Sequence, residues 1–102
     1  MTKILFNKNV EVFIQSLEKP TIAKVLRVID LLERFGHYLG PPHSKKITAG
    51  LFELRIRGRQ EVRILYTFQK GDMVMLHGFV KKKQIIPRRE IKQAERKLKD
   101  LT

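Results

Sequence analysis

The residues best suited to chemistry are basic and lie in the second half of the chain: Arg55, Arg57, Arg63 and the run Lys81, Lys82, Lys83. Arg55 and Arg57 alternate with Leu54 and Ile56, and Arg63 alternates with Val62 and Ile64. That two-residue period belongs to strands with one buried face. Arginines sharing a face on adjacent strands stand about one strand spacing apart and repel unless an anion bridges them. Two arrangements answer this: Glu53 and Glu61 neutralise them as a structural matter, or the face meets a polyanion. With the three lysines closing the next strand and Tyr66 or Phe79 flanking for base stacking, the face suits RNA. His77 joins it if its side chain shares the face of Phe79.

RNA carries its own nucleophile in the 2′-hydroxyl, so a protein can cleave it by orienting that group, stabilising charge at phosphorus and moving protons. Guanidinium forks suit the second task, and a lysine crowded by cations can exchange a proton near neutrality. Other nucleolytic and hydrolytic designs find no support. The ten acids are scattered rather than clustered for divalent ions, and His37, His43 and His77 follow no ligand spacing. Taken singly, each histidine reads more readily as a loop or packing residue. There is no cysteine and no visible activated serine. Neither a metal nor a cofactor is expected.

The elements that must position this set can be traced along the 102 residues, a length suited to one domain over 1–102. Val10, Phe13, Ile14 and Leu17 form one helical stripe, with Asn7 or Asn9 as N-cap. Lys19-Pro20 resets the backbone. Ile22, Val25, Leu26, Ile29 and Leu32 then form a second stripe that Gly36 closes. Residues 36–50 are rich in Gly, Pro and polar types and read as a surface loop. Three strands follow, over LFELRIR, VRILYTF and MVMLHGF, joined by turns at GRQE and QKGD. Pro87 opens a last helix with a stripe of Ile91, Ala94, Leu98 and Leu101, its other faces basic. The expected fold is α+β: a helical hairpin on a small twisted antiparallel sheet, with a basic helix at the carboxyl end. The sheet is expected to bury one apolar side, formed by 52–56 and 62–68, leaving Arg55, Arg57 and Arg63 together on the other.

Charge supports the assignment of a polyanionic partner. Lys and Arg total 22 against 10 acids, a net of +12, and residues 43–102 alone carry +10. An acidic protein or an anionic membrane would also suit such a surface. No apolar run approaches the length of a membrane span, and the amino terminus is too polar for a secretion signal. A cytoplasmic protein is expected.

The segments G-L-F-E-L-R at 50–55, V-R-I-L-Y at 62–66, H-G-F-V-K-K at 77–82 and P-R-R-E-I at 87–91, in that order and spacing, resemble the phage-derived HigB-like toxins of the RelE/ParE superfamily. The resemblance covers nearly the whole chain. It implies a RelE-like fold and the toxin half of a type II toxin–antitoxin system. Ribonuclease members cut mRNA in the ribosomal A site without a metal. By position, Arg63 matches the strand arginine that contacts the scissile phosphate. Arg55 and Arg57 match the basic strand ahead of it, and Lys81 and Lys82 the basic end of the last strand. Several members carry a tyrosine or histidine near the carboxyl end; this chain has a lysine-rich helix there, so the general base stays unassigned. The implied partners are a helix-turn-helix antitoxin and mRNA on the ribosome. The other arm of the superfamily poisons gyrase with the same fold and no nuclease chemistry, and a plain nucleic-acid-binding module would need only the charge. Loss of activity with an intact fold is expected for Arg63→Ala.

Overall fold

In a computed structural model, which describes residues 3–101, a short strand β1 (Ile4–Phe6) leads into helices α1 (Lys8–Gln15) and α2 (Lys19–Phe35). Strands β2 (Ser44–Thr48), β3 (Leu51–Ile56), β4 (Val62–Gln69) and β5 (Asp72–Val80) follow, and helix α3 (Arg88–Asp100) closes the chain. The five strands form one sheet in the order β1-β5-β4-β3-β2. The antiparallel run β2 to β5 is a meander, and β1 lies parallel on the outer side of β5.

Local chemistry explains the breaks. Pro20 sits in the first turn of α2, where its missing N–H has no helical partner to lose. Gly36, at φ 53°, ends α2 with its N–H on the carbonyl of Leu32. Between β4 and β5 only Lys70 and Gly71 form the loop, both with positive φ, the geometry that matches the twist of a two-residue hairpin.

The stripes of α1 and α2 pack onto one sheet face. Val10, Ile14, Val25, Ile29 and Leu32 meet Leu54, Ile56, Val62, Ile64, Tyr66, Met73 and Met75 in the larger core. Gly78 lies under the Phe13 ring, which a β-carbon there would meet at 2.5 Å. The two α-helices and the apolar sets of 52–56 and 62–68 therefore face each other.

Three features differ from the sequence reading. Residues 44–48 form an edge strand rather than loop, and residues 4–6 add a fifth strand. The second sheet face is not left bare: α3 lies on it, and Ala94, Ile91, Leu98 and Leu101 pack over Leu51, Leu65, Val74, Leu76 and Phe79. An amphipathic helix cannot leave its stripe in water, and these residues supply the surface that covers it.

Candidate basic cleft

Arg55 on β3 stands directly opposite Arg63 on β4, and Arg63 in turn opposite Phe79 on β5. This row of side chains lies on the α3 face, Phe79 within the part of the sheet that α3 covers and the two arginines beside it. Two residues along β3, on the same side of the pleat, Glu53 supplies the charge that makes the pair tenable. One of its carboxylate oxygens accepts a hydrogen bond from Arg55 Nε at 3.0 Å, and the other lies 3.2 Å from Arg63 Nε. The second contact is close but poorly aligned for a hydrogen bond, so its attraction is Coulombic. Arg63 also donates to Glu61 through Nη2 at 3.2 Å and to the Val62 carbonyl through Nη1 at 2.9 Å.

Burial follows from this network. Arg63 and Glu53 are 3% and 2% exposed, whereas the side chain of Arg55 keeps 21% of its surface open. Burial raises the pKa of the Glu61 carboxyl, but the Gly58 N–H it accepts and the Arg63 and Arg57 guanidiniums outweigh that, and the net shift is downward. The structural arrangement of Glu53 and Glu61 set out from the sequence is thus present. Arg63 is on the expected face but behind Glu53, not at the surface. An alanine there cannot leave the fold untouched.

The open part of the site is a cleft of about 360 Å³ in front of Glu53 and Arg55. Lys45 and Lys46 of β2 bound it on one side. On the other are Lys81 and the segment that crosses to α3, with Gln84, Ile85 and Ile86. Lys45 is the cross-strand partner of Glu53, which puts its side chain on the same face as the arginines. Neither Lys45 nor Lys46 was a candidate while residues 36–50 read as loop. The edge strand β2 has only five residues, and Ser44–Thr48 carries too few apolar side chains to show its period.

The remaining candidates are dispersed. Lys82 and Lys83 line a separate cavity with Arg88 and Arg89 at the start of α3. Arg57 lies beyond the end of β3, in a groove against α2. Tyr66, expected beside the arginines, is instead 1% exposed in the core under α1 and α2, where its hydroxyl meets that of Ser44 at 2.6 Å. Its ring cannot stack on a base there. The strand period itself requires this, since Tyr66 shares parity with Val62 and Ile64. Phe79 is on the arginine face but 6% exposed, packed in the smaller core.

His77 reaches that face through an irregularity. The register of β4 with β5 shifts between Leu65 and Tyr66, so that His77 opposes Leu65 and Met75 opposes Tyr66, with Leu76 left over. Leu76 and His77 both then belong to the α3 side, whereas strict alternation would send His77 to the helical-hairpin side. The Asn9 side-chain amide donates to the Leu76 carbonyl at 3.4 Å and so occupies the carbonyl at the irregularity. His77 Nε2 lies 2.7 Å from Glu90 Oε1, tying β5 to the first turn of α3 rather than reaching the cleft. Among the described residues, no group of three or more His, Asp or Glu could hold a metal ion, and no helix is long and apolar enough to cross a membrane.

Residues 12–99 match the family model described as phage derived protein Gp49-like (DUF891). No curated protein matches the chain. Solved structures that share its fold include two YoeB–YefM complexes. A heterotetrameric YoeB–YefM toxin–antitoxin complex from Staphylococcus aureus contains a chain 20% identical to this one. That match has a TM-score of 0.54 and covers 74% of this chain and 91% of the other. A second YoeB–YefM complex from the same organism matches at 19% identity and TM-score 0.56, over 81% and 98%.

Proposed function

The chain belongs to the phage-derived Gp49-like family, and from that premise we propose that it is the toxin of a type II toxin–antitoxin pair, a ribosome-dependent endoribonuclease of the HigB-like branch working in the cytoplasm. Its likeness to chains in YoeB–YefM toxin–antitoxin complexes supports a RelE-type toxin domain over 1–102. One observation carries the nuclease reading: Lys45, Lys46, Arg55 and Lys81 converge on a cleft whose floor is a buried carboxylate, Glu53.

In this reading mRNA enters the cleft with a phosphate against Lys81 and Arg55, and Arg55 exchanges its contact with Glu53 for phosphate oxygens. Glu53, released by that exchange, takes the proton of the 2′-hydroxyl. The oxygen attacks phosphorus, and the bond to the 5′-oxygen of the next nucleotide breaks as that oxygen takes a proton from water, giving a cyclic phosphate and a 5′-hydroxyl. Arg63 holds Glu53 from behind and stabilises charge at phosphorus as the carboxylate moves. Lys82 and Lys83 guide the strand outside the cleft, and His77 with Phe79 supports its floor from the α3 side. No metal enters the scheme. The antitoxin, a helix-turn-helix protein, closes the basic face in the resting complex.

Primer extension on mRNA from programmed ribosomes incubated with the purified chain tests this. Cuts in phase with codons are the expected result. Intact mRNA would refute it. A second reading, an inhibitor that binds a protein target such as gyrase without chemistry, draws on the burial of Arg63 at 3% exposure. Intact mRNA together with a supercoiling defect in vitro would establish it.

A further inference from the structure

On the α2 side of the sheet, sharing Arg55 with the cleft, is a groove of about 240 Å³. Its floor is aliphatic: Val28 and Leu31 from α2, and Ile56 at the end of β3. Its rim is cationic, with Lys24, Arg27 and Arg57. None of these three makes an ion pair with a carboxylate within 4 Å among the described residues, although the helix that carries two of them also carries Asp30 and Glu33. The Lys24 ammonium lies over Gly58, where a β-carbon would sit 2.5 Å away.

Three cations with no carboxylate within 4 Å among the described residues, around an apolar floor, form a combination that water serves poorly. The cations keep their hydration only while the groove stays open, and the floor gains only when it is filled. We propose that this groove binds an acidic segment of a partner protein, one that inserts a large apolar side chain onto Val28, Leu31 and Ile56 and sets carboxylates against Lys24, Arg27 and Arg57. A nucleic acid fits less well. Bases seek flat rings to stack on, and the only ring in the lining is the His43 imidazole. Peptide anchors of the helix-in-groove kind seek aliphatic pockets of this size, with charge at the edge setting orientation and on-rate. The proposal stands whether or not the cleft cleaves RNA.

The test titrates the isotope-labelled full chain with two synthetic peptides, an acidic one carrying a central leucine and the same one with alanine in its place, and with a single-stranded RNA oligonucleotide. Amide shifts centred on Val28, Leu31 and Ile56 are expected with the leucine peptide, and roughly tenfold weaker binding for the alanine peptide. Arg27→Glu and Lys24→Glu should each weaken it about threefold or more and steepen no salt dependence. Leu31→Gln should remove the preference for leucine while mRNA cleavage is unchanged. Equal binding of the two peptides, shifts confined to α3 or the cleft, no binding of either peptide, or RNA displacing the leucine peptide from these residues would each overturn the proposal.

Discussion

Replacing Arg63 by alanine should destabilise the protein by about 3 kcal/mol, the low end of the range for removing one partner of a buried pair. The structure gives the reason. Arg63 is 3% exposed and its guanidinium meets Glu53, Glu61 and the Val62 carbonyl. Without it Glu53 stays buried with a carboxylate oxygen that has no hydrogen bond. Arg55, still 3.0 Å from the other oxygen, limits the loss and places it at the low end. For a domain of this size, with total stability of about 5–15 kcal/mol, that is a large share, equivalent to a fall in Tm of roughly 12–24 °C. Urea unfolding followed by circular dichroism measures it, with the slope checked so that the change is one of stability. The companion variant is Glu53→Leu with Arg63→Met. It removes both buried charges together, leaves Arg55 free to reach water, and should be much more stable than the sum of the single losses. A loss under about 1 kcal/mol for Arg63→Ala, or a double variant as weak as the sum, would refute the account of a buried, mutually dependent pair. Inactivity of Arg63→Ala alone therefore says little about catalysis until its folded fraction is known.

Lys45→Ala and Lys81→Ala offer the cleaner functional probe: both side chains line the open cleft, so each should slow mRNA cleavage on ribosomes by roughly tenfold or more with urea midpoints within about 0.5 kcal/mol of wild type. Burial, opposed only by the Ser44 hydroxyl, raises the pKa of Tyr66 above 10. The folded state therefore favours the neutral phenol, and stability present below about pH 10 should be lost as pH rises through the raised value. The gap between the urea midpoints of Tyr38→Phe and of Tyr38→Phe with Tyr66→Phe, set at neutral pH by the lost Ser44 hydrogen bond, should stay constant from pH 8 and change only at the alkaline end of a series to pH 12. Gly78→Ala would press a methyl group into the Phe13 ring at 2.5–2.8 Å and should lower stability by about 1–3 kcal/mol, read by the same unfolding curves, whereas Gly78→Ala with Phe13→Leu should recover part of it.

The parts of the fold that sequence shows well are those with long, clean periods. The stripe of α1, the alternation of β3 and β4, and the Lys70-Gly71 turn each appear where their patterns place them, and so does the stripe of α2 except at Leu26, which is exposed while Val28 is buried. Short edge strands are different. Three residues at β1 and five at β2 cannot display an alternation against chance, and β2 begins beside Gly and Pro residues that signal loop. The same reason hid Lys45, because its role follows from pairing with Glu53 rather than from its own neighbours. The stripe of α3 was visible, yet what it covers was not. Leu65, Val74 and Leu76 were the signal, apolar residues on the supposedly polar side of β4 and β5. Parity alone would have excluded Tyr66 from the arginine face, since it alternates with Leu65. For His77 parity misleads, because one unpaired residue at Leu76 reverses the sides that follow.

That reversal and the Glu53 network act on the same surface. Without the extra residue at Leu76, Phe79 would turn to the hairpin side and Arg63 would lose the aromatic neighbour that covers it opposite β5. Arg63 would then stand in water, where its pairing with Glu53 would be screened and weak. With Phe79 and α3 in place, the low-dielectric side of the pair is protein and the other side is the cleft. In the proposed mechanism an anion entering from Lys45 and Lys81 therefore meets Arg55 first and competes for it with Glu53. Its arrival loosens Glu53 before it can reach Arg63. The order in which these contacts exchange is set by exposure, 21% for the Arg55 side chain against 3% for Arg63, and not by charge, which is the same on both.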